Sequence, residues 1–306
     1  MKSKLFILSM IVICLTGHLG GQIYAQRKGT GQIHWVEGYV SAKGEGTATP
    51  SGNRVKDQLR AVRAATILAQ RALLETVKEL KIDSQTKVQN KMLQEDAVHT
   101  RIEGTIQGAE TVKQDVRWEG DTPMATVEMR ICLSGIGACK SEKSLISALS
   151  LDHKSEQANV PSLRLNDMVS NPKAVTQKAQ EIIYDSGKPV TGIIFNLQGL
   201  FFERVVLPVV ITFGEGNKPF TVYSVKSVDP PIIRTYGIVR YADSVEQAKQ
   251  NAYIRDNVMV IPVSKVATIE KENLIVIEFD AARLIRETTS HGNDYLKQAK
   301  VVISAK

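Results

Sequence analysis

The chain has 306 residues, 43% of them hydrophobic, and a formal net charge of +7. This length and hydrophobic content are enough for two domains with ordinary cores. The positive excess is mild and spread along the chain, and no basic stripe with interleaved aromatic residues occurs. The composition therefore argues against nucleic-acid binding, although it permits attraction to an anionic surface.

Residues 1–25 have the features of a cleavable secretory signal. Two lysines precede an almost wholly apolar run at residues 5–15, and Ala25 closes the segment as a signal peptidase site requires. A transmembrane span would need about 20 apolar residues, which is longer than this run. We do not expect lipidation of Cys14, because Ile13 rather than a small residue precedes it. We therefore expect an exported protein that is periplasmic or outer-membrane associated.

The elements predicted in the first half form an α+β domain at residues 26–140. In chain order they are a strand at 33–42, a loop at 44–53, a helix at 55–80, a short strand at 82–88, a helix at 90–106 and strands at 112–118 and 124–133. The long helix is the clearest, because apolar residues recur every three or four positions. Its predicted buried face comprises Val55, Leu59, Val62, Ala65, Ala69, Leu73, Val77 and Leu80. Glu119-Gly120-Asp121 is a hairpin-turn signal, so we expect an antiparallel sheet with two helices on one face.

Cys132 and Cys139 are the only cysteines that follow the predicted signal. A close pair in an oxidising compartment tends to form a disulfide, and Gly135 and Gly137 between them let the sulfurs meet. The spacing does not fit a redox Cys-x-x-Cys, and no nearby His or Cys completes a zinc site. We expect a structural bridge, with two free thiols as the alternative.

Residues 141–189 show no strong core pattern and contain Pro161 and Pro172, so we interpret them as a linker with a helix near residues 174–184. Residues 190–306 predict a second, β-rich α+β domain. Its predicted strands lie at 193–197, 205–213, 220–225, 232–239, 258–263, 266–269, 274–279 and 299–304. Short helices are expected at 244–251, where Ser244 can cap the first turn, and at 280–288.

No catalytic or metal-binding constellation stands out in the sequence. The histidines after the predicted signal are His34, His99, His153 and His291, and no two have metal-ligand spacing. Phosphate-loop, dinucleotide and His-Glu-x-x-His motifs are all lacking. Glu278 and Asp280 share a face at a strand end, but the paired acids of glycosidases usually come from separate segments. We therefore predict a protein that is not an enzyme, with no catalytic, cofactor-binding or metal-ligating residues.

A long, degenerate pattern runs through residues 33–135. It consists of Ala61, Ala64-Ala65, Leu73-Leu74-Glu75, Val77, Ile82-Asp83-Ser84, Thr86 and Val88, followed by Arg101-Ile102-Glu103-Gly104, Gly108-Ala109, Val112 and Val127-Glu128-Met129. In this order the residues resemble the Lpp-twenty family of small outer-membrane lipoproteins, which has flagellar, FlgP-like members. Glu79 departs from the family, which usually has Gly there, and the lipobox cysteine is absent.

The second half resembles an uncharacterised region found beside such modules, through Thr191-Gly192-Ile193-Ile194, Tyr236-Gly237, Tyr241-Ala242 and Asp280-Ala281-Ala282. The resemblance implies an exported, non-enzymatic cell-envelope protein that acts by binding or assembly, with flagellar association as one form of that role. Expected partners are envelope or flagellar proteins, further copies of the chain paired through sheet edges, and the membrane surface. The alternatives are a periplasmic module that binds a small molecule or glycan, and then a hydrolase.

Overall fold

The computed structural model describes residues 31–135, 139, 143–152, 181–254, 256–269, 272–289 and 294–305. The predicted signal, His153, His291 and most of the helix predicted near residues 174–184 lie outside these ranges. Within them, no helix is both long and apolar enough to cross a membrane. The described chain forms three four-stranded sheets, and the predicted α+β class is confirmed.

The first half contains an antiparallel sheet covered by helices. Its elements are β1 (Gly31–His34), β2 (Tyr39–Thr47), α1 (Arg54–Glu79), α2 (Val88–Gln94), α3 (Asp96–Gln107), β3 (Glu110–Glu119) and β4 (Thr122–Cys132). The strand order is β1-β2-β4-β3, and each neighbouring pair is antiparallel. α1 lies across β2 and β4, and the predicted hairpin turn joins β3 to β4.

The loop predicted at residues 44–53 is wrong at its start, because β2 continues through Gly44 and Gly46 to Thr47. Glycine is required here because α1 packs directly on the strand backbone. A Cβ on Gly44 would lie 2.1 Å from the carbonyl oxygen of Ala65, and one on Gly46 would lie 2.3 Å from the Ala65 nitrogen. The two glycines therefore mark a close backbone approach and not a break in the strand.

The predicted buried face of α1 is correct in its second half and wrong at its start. Val55 and Leu59 are 70% and 65% exposed, whereas Asp57 and Ala61 are buried. The Asp57 carboxylate accepts hydrogen bonds from the backbone nitrogen and the Oγ of Ser51, at 2.7 and 2.6 Å. The first turn of the helix is thus oriented by a polar contact, which an apolar periodicity does not reveal.

Three other predictions for the first half need correction. The strand at residues 33–42 is two strands, β1 and β2, separated by a turn. The strand at residues 82–88 is a turn, since Asp83 Oδ1 accepts hydrogen bonds from the backbone nitrogens of Gln85 and Thr86, at 2.8 and 2.7 Å. The helix at residues 90–106 divides at Glu95 into α2 and α3, and its residue Leu93 is 79% exposed.

The second half contains a parallel and a mixed sheet. After α4 (Leu145–Leu149), its elements are β5 (Gly192–Asn196), β6 (Val210–Phe213), β7 (Pro219–Tyr223), α5 (Pro230–Tyr236), β8 (Arg240–Ala242), α6 (Val245–Lys249), β9 (Val258–Pro262), β10 (Lys265–Ile269), β11 (Glu272–Val276), α7 (Phe279–Thr289) and β12 (Val301–Ser304). The parallel sheet has the order β8-β12-β5-β9, and the mixed sheet has the order β10-β11-β6-β7.

Most strands of this half match their predictions, and so does α6, where Ser244 Oγ accepts a hydrogen bond from the Gln247 nitrogen at 3.2 Å. The strand predicted at residues 232–239 is wrong. Pro230 and Pro231 occupy the first turn of α5, where proline suits a helix start. β8 was not predicted, and β6 begins only at Val210.

The two halves share one hydrophobic core. Leu145, Leu149 and Leu151 are fully buried, so α4 belongs to this core although it lies in the segment predicted as a linker. One buried cluster contains residues of both halves, and the Leu207 nitrogen donates to the Ile82 carbonyl at 2.7 Å. The relative position of the halves is therefore fixed by packing.

Candidate ligand cavity between the two halves

A cavity of about 690 Å³ lies where the two halves meet. Its first wall includes Trp35 and Gly38 from the turn between β1 and β2, and its second wall includes Tyr236, Arg240 and Tyr253. Small-molecule sites typically enclose about 300–1,000 Å³ and lie at junctions between domains. In both size and position, this cavity has the properties of a ligand site.

The first wall is positioned by the antiparallel sheet. β4 continues into Leu133, whose nitrogen donates to the Gly38 carbonyl at 2.8 Å, so the end of β4 and the β1–β2 turn are held together. The ring of Trp35 meets Tyr241 of the second half edge-on, with centroids 5.3 Å apart. Aromatic pairs in this arrangement contribute about 0.5–1.5 kcal/mol beyond their buried area. Trp35 thus links the two walls.

The second wall is positioned by the end of α5. Gly237 follows that helix with φ +70°, and a Cβ on it would lie 2.6 Å from Cδ1 of Ile146 in α4. Only glycine combines this backbone conformation with this close approach. The Gly135 nitrogen donates to the Thr235 carbonyl at 3.0 Å, which attaches the first half directly to α5. The chain then turns into Arg240 at the start of β8.

Arg240 is the one charged residue among the described residues that line the cavity. The side chain as a whole is half-buried, but Nε and Nη2 are closed off from solvent and have no hydrogen-bond partner in the described part of the chain. Its Nη1 donates to the Val239 carbonyl at 3.2 Å. Burial lowers the pKa of this guanidinium, and the neighbouring Tyr253 opposes that shift. The group nevertheless remains charged, because an arginine pKa starts above 12.

Tyrosine rings surround this charge without neutralising it. The Arg240 guanidinium lies 4.8 Å from the ring centre of Tyr253, which is a cation–π distance, and Tyr236 lies 6.0 Å from Tyr253, centroid to centroid. Burial raises the pKa of Tyr253 and of Tyr241, so both phenols stay neutral. The hydroxyl of Tyr241 donates to the Val205 carbonyl at 2.8 Å. The tyrosines therefore offer the cavity mainly their rings.

The cavity lies at the amino end of β8. In most open parallel sheets, by contrast, ligands bind beyond the carboxyl ends of the strands. The site is therefore not of the dinucleotide-binding type, in agreement with the missing glycine fingerprint. The cavity combines one buried cation with a largely apolar lining, and it is reached from the junction of the two halves.

The predicted disulfide is confirmed: Cys132 and Cys139 are bonded, with Cα atoms 5.3 Å apart. The bridge closes the loop that begins with Leu133, Ser134 and Gly135, and these three residues line the cavity. The structural role proposed for the bridge thus includes fixing part of the first wall.

The other residues that the sequence singled out do not come together. His34 stacks on Tyr39 with centroids 4.3 Å apart, and His99 lies 3.5 Å from Glu103 on the surface of α3. In the described ranges, no cluster of three His, Cys, Asp or Glu side chains could hold a metal ion.

The two acids considered as a pair are also engaged separately. Glu278 accepts a hydrogen bond from Ser264 Oγ at 2.6 Å, whereas Asp280 forms an ion pair with Arg283 at 3.0 Å. Sequence reasoning missed Arg240, since one arginine among many carries no local signal. The flanking Tyr236-Gly237 and Tyr241-Ala242 carry the resemblance of the second half to a known region, but they do not single out Arg240.

Residues 192–305 match the family model described as the second domain of Treponema pallidum Tp0624. No curated protein matches the chain. The matched region contains α5, Arg240 and Tyr253, and therefore most of the second wall, while the first wall and α4 lie outside it. The second half of the chain is thus similar to an uncharacterised domain.

Proposed function

We propose that the protein is an exported, non-enzymatic protein of the cell envelope that binds a small molecule in the cavity between its halves. The observation that carries this proposal is the cavity itself, with one buried guanidinium set in an apolar lining. Such a combination of apolar walls and few polar groups is the usual form of a small-molecule site.

Binding is favoured over catalysis by the chemistry of the lining. General acid–base catalysis needs a group that gains and loses a proton near the working pH, and arginine does not do so. The described lining contains neither His, Cys nor a carboxylate. A hydrolase that uses a histidine, a cysteine or a carboxylate would have to take that group from outside this lining, so a binding role needs the fewest additional groups.

The envelope part of the proposal is supported by the signal features of residues 1–25 and by the disulfide, since disulfides persist in oxidising compartments. The likeness to Lpp-twenty proteins supports an association with the outer membrane, and flagellar association is its most specific form. Fractionation of cells followed by a high-salt wash of the membranes tests this part. Recovery of the mature chain from the cytoplasm would refute it.

Self-assembly through sheet edges has less support. The exposed edge strand β3 carries Glu110, Lys113, Asp115, Arg117 and Glu119, and charged edge strands resist pairing with another copy. At the opposite edge of the same sheet, β1 has only four residues. These two edges therefore give self-assembly less support than the cavity gives ligand binding.

The cavity can be tested by the fluorescence of Trp35. The chain has two tryptophans, so Trp118→Phe leaves Trp35 as the only one, and Trp118 lies outside the lining, beneath Arg54 at 4.2 Å. In this background we would titrate two small ring compounds, benzoate and benzyl alcohol. A ligand of this size is expected to reach a dissociation constant on the order of 1 mM or below.

A blocked variant shows whether a response arises in the cavity. Ala252 is an exposed residue of the lining, so Ala252→Phe should obstruct the cavity without disturbing the core or adding a second tryptophan, and Ala252→Ser is its matched control. The proposal predicts a saturable change in Trp35 emission that the Phe variant loses and the Ser variant keeps. A response that persists in the blocked variant, or no response to either compound, would contradict it.

A further inference from the structure

We infer that the cavity selects a small anion: a carboxylate or phosphate group contacts Arg240, while an apolar or aromatic body packs against the surrounding rings. This inference rests on the proposed function, because it takes the cavity to be the binding site. It adds the chemical class of the ligand and the residue that recognises it.

The hydrogen-bonding state of Arg240 is the first argument. A guanidinium has five N–H donors in a fixed fork, and here Nη1 donates to the Val239 carbonyl, whereas Nε and Nη2 have no partner in the described chain. A buried charge with unsatisfied donors destabilises the ligand-free fold. Carboxylates and phosphates accept two parallel hydrogen bonds from such a fork, so a bound anion would satisfy the group that the protein leaves unpaired.

The electrostatic surroundings are the second argument. No carboxylate occurs among the described residues of the lining, and Asp243, in the same chain segment, is paired with Arg204 at 2.7 Å. The ring of Tyr253 stabilises the guanidinium through its π-face but carries no compensating charge. The cavity therefore has an uncompensated positive charge in a medium less polar than water, where attraction to an anion is strengthened.

The shape of the lining is the third argument. Trp35 stands on one wall, and Tyr236 and Tyr253 stand on the other, so a ring or apolar body can pack between aromatic surfaces. Nε and Nη2 are shielded from solvent, so an anion reaches them when the ring of Tyr253 turns away from Arg240. Tyr253 is half-buried, and its hydroxyl donates to the Gln298 carbonyl at 2.6 Å, so this hydrogen bond breaks when the ring turns.

The test extends the Trp118→Phe titration to benzoate, phenyl phosphate and benzyl alcohol, three ring compounds that differ in their head group. At least one of the two anions should bind more tightly than the neutral alcohol. Arg240→Met should weaken that anion about 10- to 100-fold, the usual effect of losing hydrogen bonds to a charged group, and should leave benzyl alcohol unchanged. Comparison of benzoate with phenyl phosphate separates a carboxylate from a phosphate ligand.

Arg130→Met is the matched control, because Arg130 also lies near a tyrosine ring, 5.8 Å from the centre of Tyr39, but does not line the cavity. It should leave all three affinities unchanged. If Arg240→Met does not fold, Arg240→Lys keeps the charge but loses the fork, and it should bind the anion with intermediate affinity.

The possible failures are distinguishable. Equal affinities for the three compounds, or anion binding that Arg240→Met and Arg240→Lys leave intact, would overturn the anion inference while the cavity remained a binding site. Absence of any response from Trp35 would overturn the proposed function as well.

Discussion

Gly44→Ala tests how α1 is held on the sheet. The new methyl carbon would lie 2.1 Å from the carbonyl oxygen of Ala65 and 2.3 Å from the nitrogen of Ala69. Normal contact requires about 3.5 Å, so the helix would have to move away by about 1.4 Å. Overpacking usually costs 1–3 kcal/mol and sometimes more. Because both opposing atoms belong to the helix backbone, which cannot rotate aside, we expect a loss of about 3 kcal/mol or more.

Gly104→Ala in α3 is the matched control, since a Cβ on Gly104 would meet no atom within 4 Å. Alanine is the better helix former by up to about 1 kcal/mol, so this variant should be at least as stable as the parent. Urea unfolding followed by far-UV circular dichroism measures both changes. If Gly44→Ala lost less than about 0.5 kcal/mol, an ordinary surface effect, the account of the close approach of α1 to β2 would be refuted.

The remaining predictions concern covalent and titratable groups. Replacing Cys132 and Cys139 together by Ser should lower the free energy of unfolding by about 2.5 kcal/mol, the chain-entropy value for so short a loop; an unchanged urea midpoint would show that the bridge is not structural. The hydrogen bonds from Ser51 lower the pKa of Asp57. The ionised carboxylate therefore stabilises the fold above about pH 4, and this stabilisation is lost as the pH falls through the pKa of Asp57 in the folded state. The stability advantage of the parent over Asp57→Asn should therefore shrink between neutral pH and about pH 2, and a constant difference in urea midpoints would contradict the assignment. Burial raises the pKa of Tyr295 to about 12, so the folded state loses stability as the pH rises from about 10 toward that value; Tyr295→Phe should flatten this slope in alkaline urea titrations, and an unchanged slope would count against it.

Local signals were sufficient where one element determines its own structure. α1 was predicted from its apolar spacing and its helix-forming composition, and the β3–β4 hairpin from the turn around Gly120, which has φ +61°. The cysteine pair was predicted from its spacing and from the expected export. In each of these cases, the residues that decide the structure lie close together in the sequence.

Local sequence signals predict the wrong secondary structure where packing against a distant segment determines it. Gly44 and Gly46 fall in the loop predicted at residues 44–53, because nothing near them in the sequence shows that the alanines of α1 will pack on their backbone. Ile232 and Ile233 favour a strand, whereas the two prolines before them start the helix α5. Only the packed fold decides between these alternatives.

The cavity depends most strongly on segments that are distant in the sequence. For the same reason, the proposed function needs both halves of the chain. Trp35 and Arg240 are about 200 positions apart, and only the shared core brings them to one cavity. Without the first half, Arg240 would lose one wall of its enclosure, water would hydrate the guanidinium, and the attraction to an anion would fall with the rising local dielectric. In the proposed binding site, the region similar to the second domain of Tp0624 would thus supply the charge, and the first half would supply the enclosure. Removal of the unpaired cation from the ligand-free protein should accordingly be tolerated or even stabilising, as is expected of a residue that serves binding rather than folding.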